Sequence, residues 1–176
     1  MTDDTQNKEE TKKEVAVEEY VDPWQPEQRA LLNTLSQVDY ASVCDKVSTY
    51  PTLNIPVANT SEFMQKLHSE HKFDMLKSHT CVDWLEEGQF ELISLLFSTT
   101  HLQHIWVSIR IPRDNPVIDT LSHIWPIAEF QEREVYDLFG VKYAGHTDLR
   151  RIFLEDDWVG FPLRKDYQDD FMLEKP

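Results

Sequence analysis

The chain has only two cysteines and four glycines among its 176 residues. Cys44 and Cys81 are far apart and form no C-x-x-C pair. An iron–sulfur cluster generally takes four thiolates, and structural zinc takes four closely spaced Cys or His ligands, so two isolated cysteines supply neither. Both read as small buried hydrophobes rather than halves of a disulfide. With so few glycines the chain has no G-x-G-x-x-G or Walker loop, hence no visible phosphate cradle, and it has no G-x-S-x-G nucleophile elbow. Long apolar runs are missing too. The longest patch, Glu91 to Phe97, is of strand length, far short of the roughly 20 residues a membrane helix needs. Positive charge is scarce: 17 Lys and Arg against 32 Asp and Glu leave a net charge of −15. That balance argues against nucleic acid, whose phosphates need a cationic face, and against an anionic lipid surface as a direct ligand. The first residues carry no apolar h-region, no arginine and many acids, unlike a signal or transit peptide. The expected place is the bacterial cytoplasm or an equivalent compartment.

What is present suffices for one modest core: hydrophobic residues make up 40% of the chain, and its length suits a single domain. Residues 1–22 hold eight acids and three bases with few apolar side chains, and read as an acidic tail, disordered or lying on a partner. Pro26 opens a predicted helix to about Gln37, with Leu31, Leu32 and Leu35 at helical spacing. Val43 to Val57 reads as extended structure with turns near Asp45 and Tyr50-Pro51. Asn59-Thr60-Ser61-Glu62 caps a second helix, Glu62 to about Ser69, with Phe63 and Leu67 inward. Phe73 to Trp84 reads as a strand or strand pair with a polar interruption at Lys77 to His79. Gln89 to Ser98 is a strong strand forming a hairpin with Gln103 to Ile111, and Pro116 to Ile124 reads as the start of a helix. The expected fold is α+β: a small mixed or antiparallel sheet of about four strands with helices on one face, plus an extended C-terminal arm. The divisions are the tail, an α+β domain over 23–142 and the arm over 143–176, where periodicity fails. About thirty residues without regular structure are unusual inside a compact domain, and natural as an arm on another protein.

Charge is grouped in three blocks within about forty residues: WPIAEFQEREVYDLFG from Trp125, GHTDLRRIF from Gly145 and FPLRKDY from Phe161. The first reads as a helix, with Pro126 at its first position and Gly140 at its left-handed stop. At 100° per residue, Ile127, Phe130, Glu134 and Leu138 share a face, which places Glu134 in the middle of an apolar stripe. A carboxylate buried there needs a cation, and Arg150, Arg151 and Arg164 are the candidates. Arg150-Arg151 and Arg164-Lys165 could instead hold an anion, but Asp148 and Asp166 beside them make salt bridges the better reading. His68 with His71, and His101 with His104, could each be half a metal site, yet neither has an obvious third ligand.

ERE-x-x-D-x-FG followed by GH-x-DLRRI and PLRKDY resembles the family of the 30-kilodalton subunit, or C subunit, of respiratory complex I. The resemblance is close from Ser122 to Tyr167 and looser from about Asn54. Two departures are Phe130, where the family more often has Trp, and Thr147, where it often has Pro. The resemblance implies a component of a proton-translocating NADH:quinone oxidoreductase with no cofactor or catalytic residue of its own, FMN and iron–sulfur clusters being expected in partner subunits. It implies a peripheral, hetero-oligomeric place on the cytoplasmic face of the bacterial cell membrane, bracing the quinone-binding D-type subunit, with the B-type subunit beside it and the I-type near. The residues it points to as an interface and structural charge network are Glu132, Arg133, Glu134, Asp137, His146, Asp148, Arg150, Arg151, Arg164, Lys165 and Asp166. Related subunits of membrane-bound nickel–iron hydrogenases and of ferredoxin- or deazaflavin-dependent complexes are the alternative. A free-standing acidic binding protein is the second alternative.

Overall fold

The computed structural model describes residues 26–37, 41–43 and 49–169. The acidic tail, Cys44 and the last seven residues lie outside the described residues. The elements are α1 (Pro26–Leu35), β1 (Ser42–Val43), β2 (Thr52–Asn54), α2 (Thr60–Ser69), β3 (Met75–Trp84), β4 (Gln89–Ser98), β5 (Gln103–Pro112), β6 (Val117–Asp119), α3 (Ala128–Phe139) and β7 (Lys142–Ala144). Five strands form one mixed sheet in the order β1-β2-β5-β4-β3, with β2 and β5 parallel and the other pairs antiparallel. β6 and β7 form a separate parallel pair.

β4 sets the frame. Its residues alternate strictly, with Phe90, Leu92, Ser94, Leu96 and Ser98 buried and the residues between them half-buried. In register with them on β5 lie Ile105, Val107, Ile109 and Ile111, all buried. On β3 the polar interruption is a bulge: Leu76 pairs with Leu96 and Ser78 with Leu95, leaving Lys77 as an extra residue. One extra residue reverses which side chains face the core. His79, Cys81 and Asp83 therefore point inward, and Thr80 and Val82 outward.

All three helices join the core cluster on that face, through Leu32 and Leu35, through Phe63, Met64 and Leu67, and through Ala128, Val135 and Phe139. The opposite face, with Trp84, Ile93, Leu95, Phe97 and Trp106, is half-buried. One expectation fails: Pro116 to Ile124 begins with β6, because Val117, Ile118 and Asp119 pair with Lys142, Tyr143 and Ala144. A three-residue strand answers to a pairing partner, which local sequence does not announce. The sheet is also one strand larger than expected, the addition being the two-residue β1. After β7 no helix or strand forms up to residue 169, as expected, but this segment folds back onto α3 and the sheet of its own chain.

Candidate functional site

α3 carries the charge block, and it is turned the other way from the expectation. Ile127 is 49% exposed, Phe130 is 54% exposed, and Glu134 is exposed as well. The buried face is instead Ala128, Glu132, Val135 and Phe139, with Asp137 and most of Arg133 also enclosed. The expected burial and ion pairing of Glu134 are therefore not met; no ion pair involves it among the described residues. The physical reason is that neighbouring segments supply donors to Glu132 and Asp137, so carboxylates are tolerated inside and apolar side chains are left outside. Periodicity finds an apolar stripe but does not say whether it faces a core or a partner.

Asp137 is the centre of the first cluster. Its carboxylate is fully buried: Oδ2 accepts the backbone N–H groups of Ile152 (3.0 Å), Phe153 (2.7 Å) and Leu154 (3.0 Å), and Oδ1 accepts Arg151 Nη1 at 2.7 Å. Burial alone would raise its pKa, but the Phe153 amide, the Arg151 guanidinium and the other two amides outweigh it and hold the carboxyl below its ordinary value. Arg151 also donates to the carbonyls of Asp137, Trp158 and Gly160. Arg133 reaches back from the helix to the carbonyls of Arg150 and Arg151.

These contacts also finish α3. The last carbonyls of a helix have no intrahelical partner. Here Tyr136 O takes the Gly140 amide, Leu138 O the Leu163 amide at 3.1 Å, and Phe139 O Arg164 Nε at 2.7 Å. Gly140 caps the helix at φ +79°, as expected, and a Cβ there would lie 2.5 Å from Phe161 Cε2 and 2.8 Å from Arg164 Nη2. The two arginines bring positive charge to the negative end of the helix dipole, and Arg164 lies over the rings of Phe90 and Phe161.

A second cluster centres on Asp83, buried on β3. It holds Arg113 Nε at 2.8 Å and Nη2 at 3.2 Å, and accepts the Lys165 backbone N–H at 2.8 Å. Arg113 also pairs with Asp166. Neither Asp83 nor Arg113 is marked by the charge blocks; the one sequence signal is an aspartate at a core-facing position of β3, visible only once the bulge is known.

The third cluster surrounds Glu132. Oε2 accepts Thr120 Oγ1 at 2.5 Å, Oε1 accepts the Leu121 amide at 2.6 Å, and His146 Nε2 lies 3.9 Å from Oε2. Burial pushes this carboxyl above its ordinary value, against the pull of those two donors. His146 Nδ1 accepts the Asp148 amide while Nε2 donates to Glu129 O, an assignment read from the bonding pattern, so both ring nitrogens fix the turn. Deeper still, His79 bridges Ser94 Oγ (2.9 Å) and Tyr143 Oη (2.8 Å), and burial lowers its pKa to about 4. Burial likewise raises the Cys81 thiol to about 12, far from the range of a nucleophile.

Seven of the eleven residues of the expected network are linked, because Asp148 Oδ2 lies 3.8 Å from Arg133 Nη1 and the Asp148 amide donates to His146, which joins the Asp137 and Glu132 groups; Glu134, Arg164, Lys165 and Asp166 stand outside that chain of contacts. Asp137, Arg151 and Arg133 come together; Lys165 (through its backbone) and Asp166 join Asp83; Glu132 and His146 form the third group; Arg164 caps α3. Arg150 and Asp148 pair at the surface, at 3.0 Å, with the Arg150 side chain 68% exposed. Among the described residues no group of three or more His, Cys, Asp or Glu side chains is placed to hold a metal ion, and none of the helices is long and apolar enough to cross a membrane. Of the histidine pairs, His68 packs edge-on against Trp125, and His104 lies against Tyr50 and Phe97. The arrangement positions chain segments and displays a surface.

Several known proteins are similar to this chain. A family model described as respiratory-chain NADH dehydrogenase, 30 Kd subunit, matches residues 53–170. The C subunit of the NADH-quinone oxidoreductase of Moorella thermoacetica is 39% identical over 118 residues, covering 67% of this chain and 80% of that one. The C/D subunit of the NADH-quinone oxidoreductase of Phocaeicola vulgatus is 46% identical over 118 residues, 66% of this chain but only 22% of that longer protein. Among solved structures, a chain of the membrane-bound sulfane sulfur reductase, an archaeal respiratory membrane complex, matches with a TM-score of 0.71 at 26% identity over 86% of this chain and 98% of its own. The trypsin-resistant fragment (1–134) of Nqo5 matches with a TM-score of 0.61 at 25% identity, covering 69% of this chain and 98% of the fragment.

Proposed function

The chain belongs to the 30-kilodalton subunit family of respiratory-chain NADH dehydrogenase, and from that premise we propose that it is a cofactor-free, peripheral-arm component of a proton-translocating NADH:quinone oxidoreductase. In this reading it braces the D-type subunit, which binds quinone, and contributes to assembly of the electron-transfer arm. The D-type and B-type subunits are its neighbours, with the I-type close by. FMN and iron–sulfur clusters belong to partner subunits, and the complex sits at the cytoplasmic face of the bacterial cell membrane.

The observation that carries the reading is where the charged residues of the three blocks are used. Glu132, Asp137, Arg133, Arg151 and Arg164 are committed to backbone amides, carbonyls and one another. A residue held by several fixed bonds is suited to holding shape, and unsuited to gaining and losing protons in a cycle. The C/D relatives support the choice of partner: in Phocaeicola vulgatus and in Bacteroides thetaiotaomicron the similar stretch is only 22% and 23% of a protein named for both subunits. Joining two subunits in one chain fixes their effective concentration, which is useful where they work side by side.

The test is Arg151→Ala made in the host. Removing one member of a buried, bonded charge pair is strongly destabilising. The expected result is less assembled complex, with NADH:quinone turnover unchanged per FMN in the complex that remains. A fully assembled, fully cofactored complex with a slowed chemical step refutes the reading.

The similarity to a sulfane sulfur reductase chain favours a second reading, an equivalent subunit in a related complex with another electron donor, such as a ferredoxin- or deazaflavin-dependent enzyme or a membrane-bound nickel–iron hydrogenase. Neighbouring genes separate the two: an NADH-binding flavoprotein subunit supports the first, a large subunit with nickel-ligating cysteines the second.

A further inference from the structure

The outward stripe of α3 is left unused by the internal contacts described above. At 100° per residue, Phe130, Glu134, Asp137 and Ile127 fall within an arc of about 80°. Asp137 differs from the others in being buried, and what buries it is the run from Ile152 to Leu154, whose amides it holds. The stripe therefore continues from the helix onto this loop. Ile152 is 37% exposed and Phe153 66%, so the loop carries apolar side chains outward where the helix surface would otherwise end. Ile127 and Phe130 on one segment and Ile152 and Phe153 on the other are thus exposed apolar side chains on two segments locked together by a buried carboxylate. Scattered exposed apolar residues are ordinary, but several carried on one rigid frame suit an interface.

The charges near this surface say what it fits. Glu134 lies within the stripe, and Glu155, Asp156 and Asp157 follow the loop directly; all four are exposed, and none is in an ion pair among the described residues. The chain as a whole carries −15. A complementary surface is apolar at its centre and rimmed with lysine and arginine. A second copy of this acidic chain would bring like charge to like charge.

We propose that the face made by Ile127, Phe130, Glu134, Ile152 and Phe153 is the surface through which this chain docks on the D-type subunit, against an apolar patch with a basic rim. This rests on the reading proposed for the chain's function and adds to it the residues that dock and the chemistry they meet. Asp137 and Arg151 do not touch the partner; they hold the loop half of the face in register with the helix half.

The experiment co-expresses the full-length tagged chain with the D-type subunit encoded in the same genome and measures their affinity. Phe130→Asp and Phe153→Asp, both at exposed positions, are each expected to weaken binding at least about tenfold while the thermal midpoint of the free chain stays unchanged. Glu134→Lys is expected to weaken binding and to lessen its dependence on salt. Leu102→Asp, at the 77% exposed tip of the β4–β5 turn, is expected to bind as the wild type does. If the wild-type chain and the D-type subunit bind but all three face variants bind equally well, this proposal is overturned and the bracing role stands. If the wild-type pair does not bind, the bracing role itself fails and the proposal with it. A wild-type homodimer that Phe130→Asp dissolves, with binding to the D-type subunit intact, assigns the face to self-association and also overturns the proposal.

Discussion

Asp137→Ala isolates the contribution of one carboxylate to a segment without regular structure. The substitution removes four hydrogen bonds, three from amides and one from Arg151, and strands the Arg151 guanidinium, which is 13% exposed. Breaking a buried charge pair costs about 3–5 kcal/mol, and Arg151 keeps three carbonyl acceptors, so the lower end, about 3 kcal/mol, applies. The cost falls on the segment first, because residues 145–169 contribute little to the hydrophobic core. Local opening should therefore rise by about two powers of ten at roughly 1.4 kcal/mol per tenfold, while α3 and the sheet remain folded. Arg151 offers a direct assay, since trypsin cuts after it only when the segment opens. Cleavage there is expected to accelerate about a hundredfold, with hydrogen exchange at Ile152, Phe153 and Leu154 rising in parallel and exchange in β4 unaltered. An increase of less than about threefold would refute the account, because the segment would then be held by something other than Asp137.

Two further outcomes follow from the buried groups. His79 has a folded pKa of about 4 against an ordinary 6.5; its depressed value means that stability is fully present above pH 6.5 and is lost as the pH falls from there towards 4, by about 3 kcal/mol. Urea unfolding between pH 7 and pH 4 should show a steeper loss in the wild type than in His79→Gln, and equal slopes would remove His79 from the explanation. Gly140→Ala should lower stability by about 2 kcal/mol or more, from the left-handed backbone and the collision with Phe161 and Arg164; a thermal midpoint within a degree of wild type would show that the capping segment moves aside freely.

The regular elements with strong local signals were legible in the chain itself. β4 and β5 appear almost to the residue because ten-residue alternation admits one reading; α1 and α2 follow from spacing, although Asn59 makes no side-chain cap bond to α2, and the stop of α3 follows from the left-handed Gly140. What could not be read depends on pairing across distance. β6 exists only through β7, and Asp83 meets Lys165 across 82 positions of sequence. The importance of the charge blocks was legible, but their orientation was not. Glu132 and Glu134 differ by two positions, hence by 200° around α3, and what sends Glu132 inward is the Thr120 hydroxyl and the Leu121 amide, which sit outside the block. The irregular C-terminal segment was recognised from its lost periodicity. Its attachment to its own domain was hidden, because an arginine in a sequence does not say whose carbonyls it will cap.

The bulge at Lys77 bears on how the edge of the sheet meets other chains. β3 is the margin of the sheet and ten residues long, the kind of edge along which a second chain can add itself strand by strand. The extra residue breaks the regular ladder of that edge and places a lysine, exposed and positively charged, at the break. The opposite margin is only two residues long. Among the described residues, both margins of the sheet are therefore poor templates for the strand-by-strand addition of another chain.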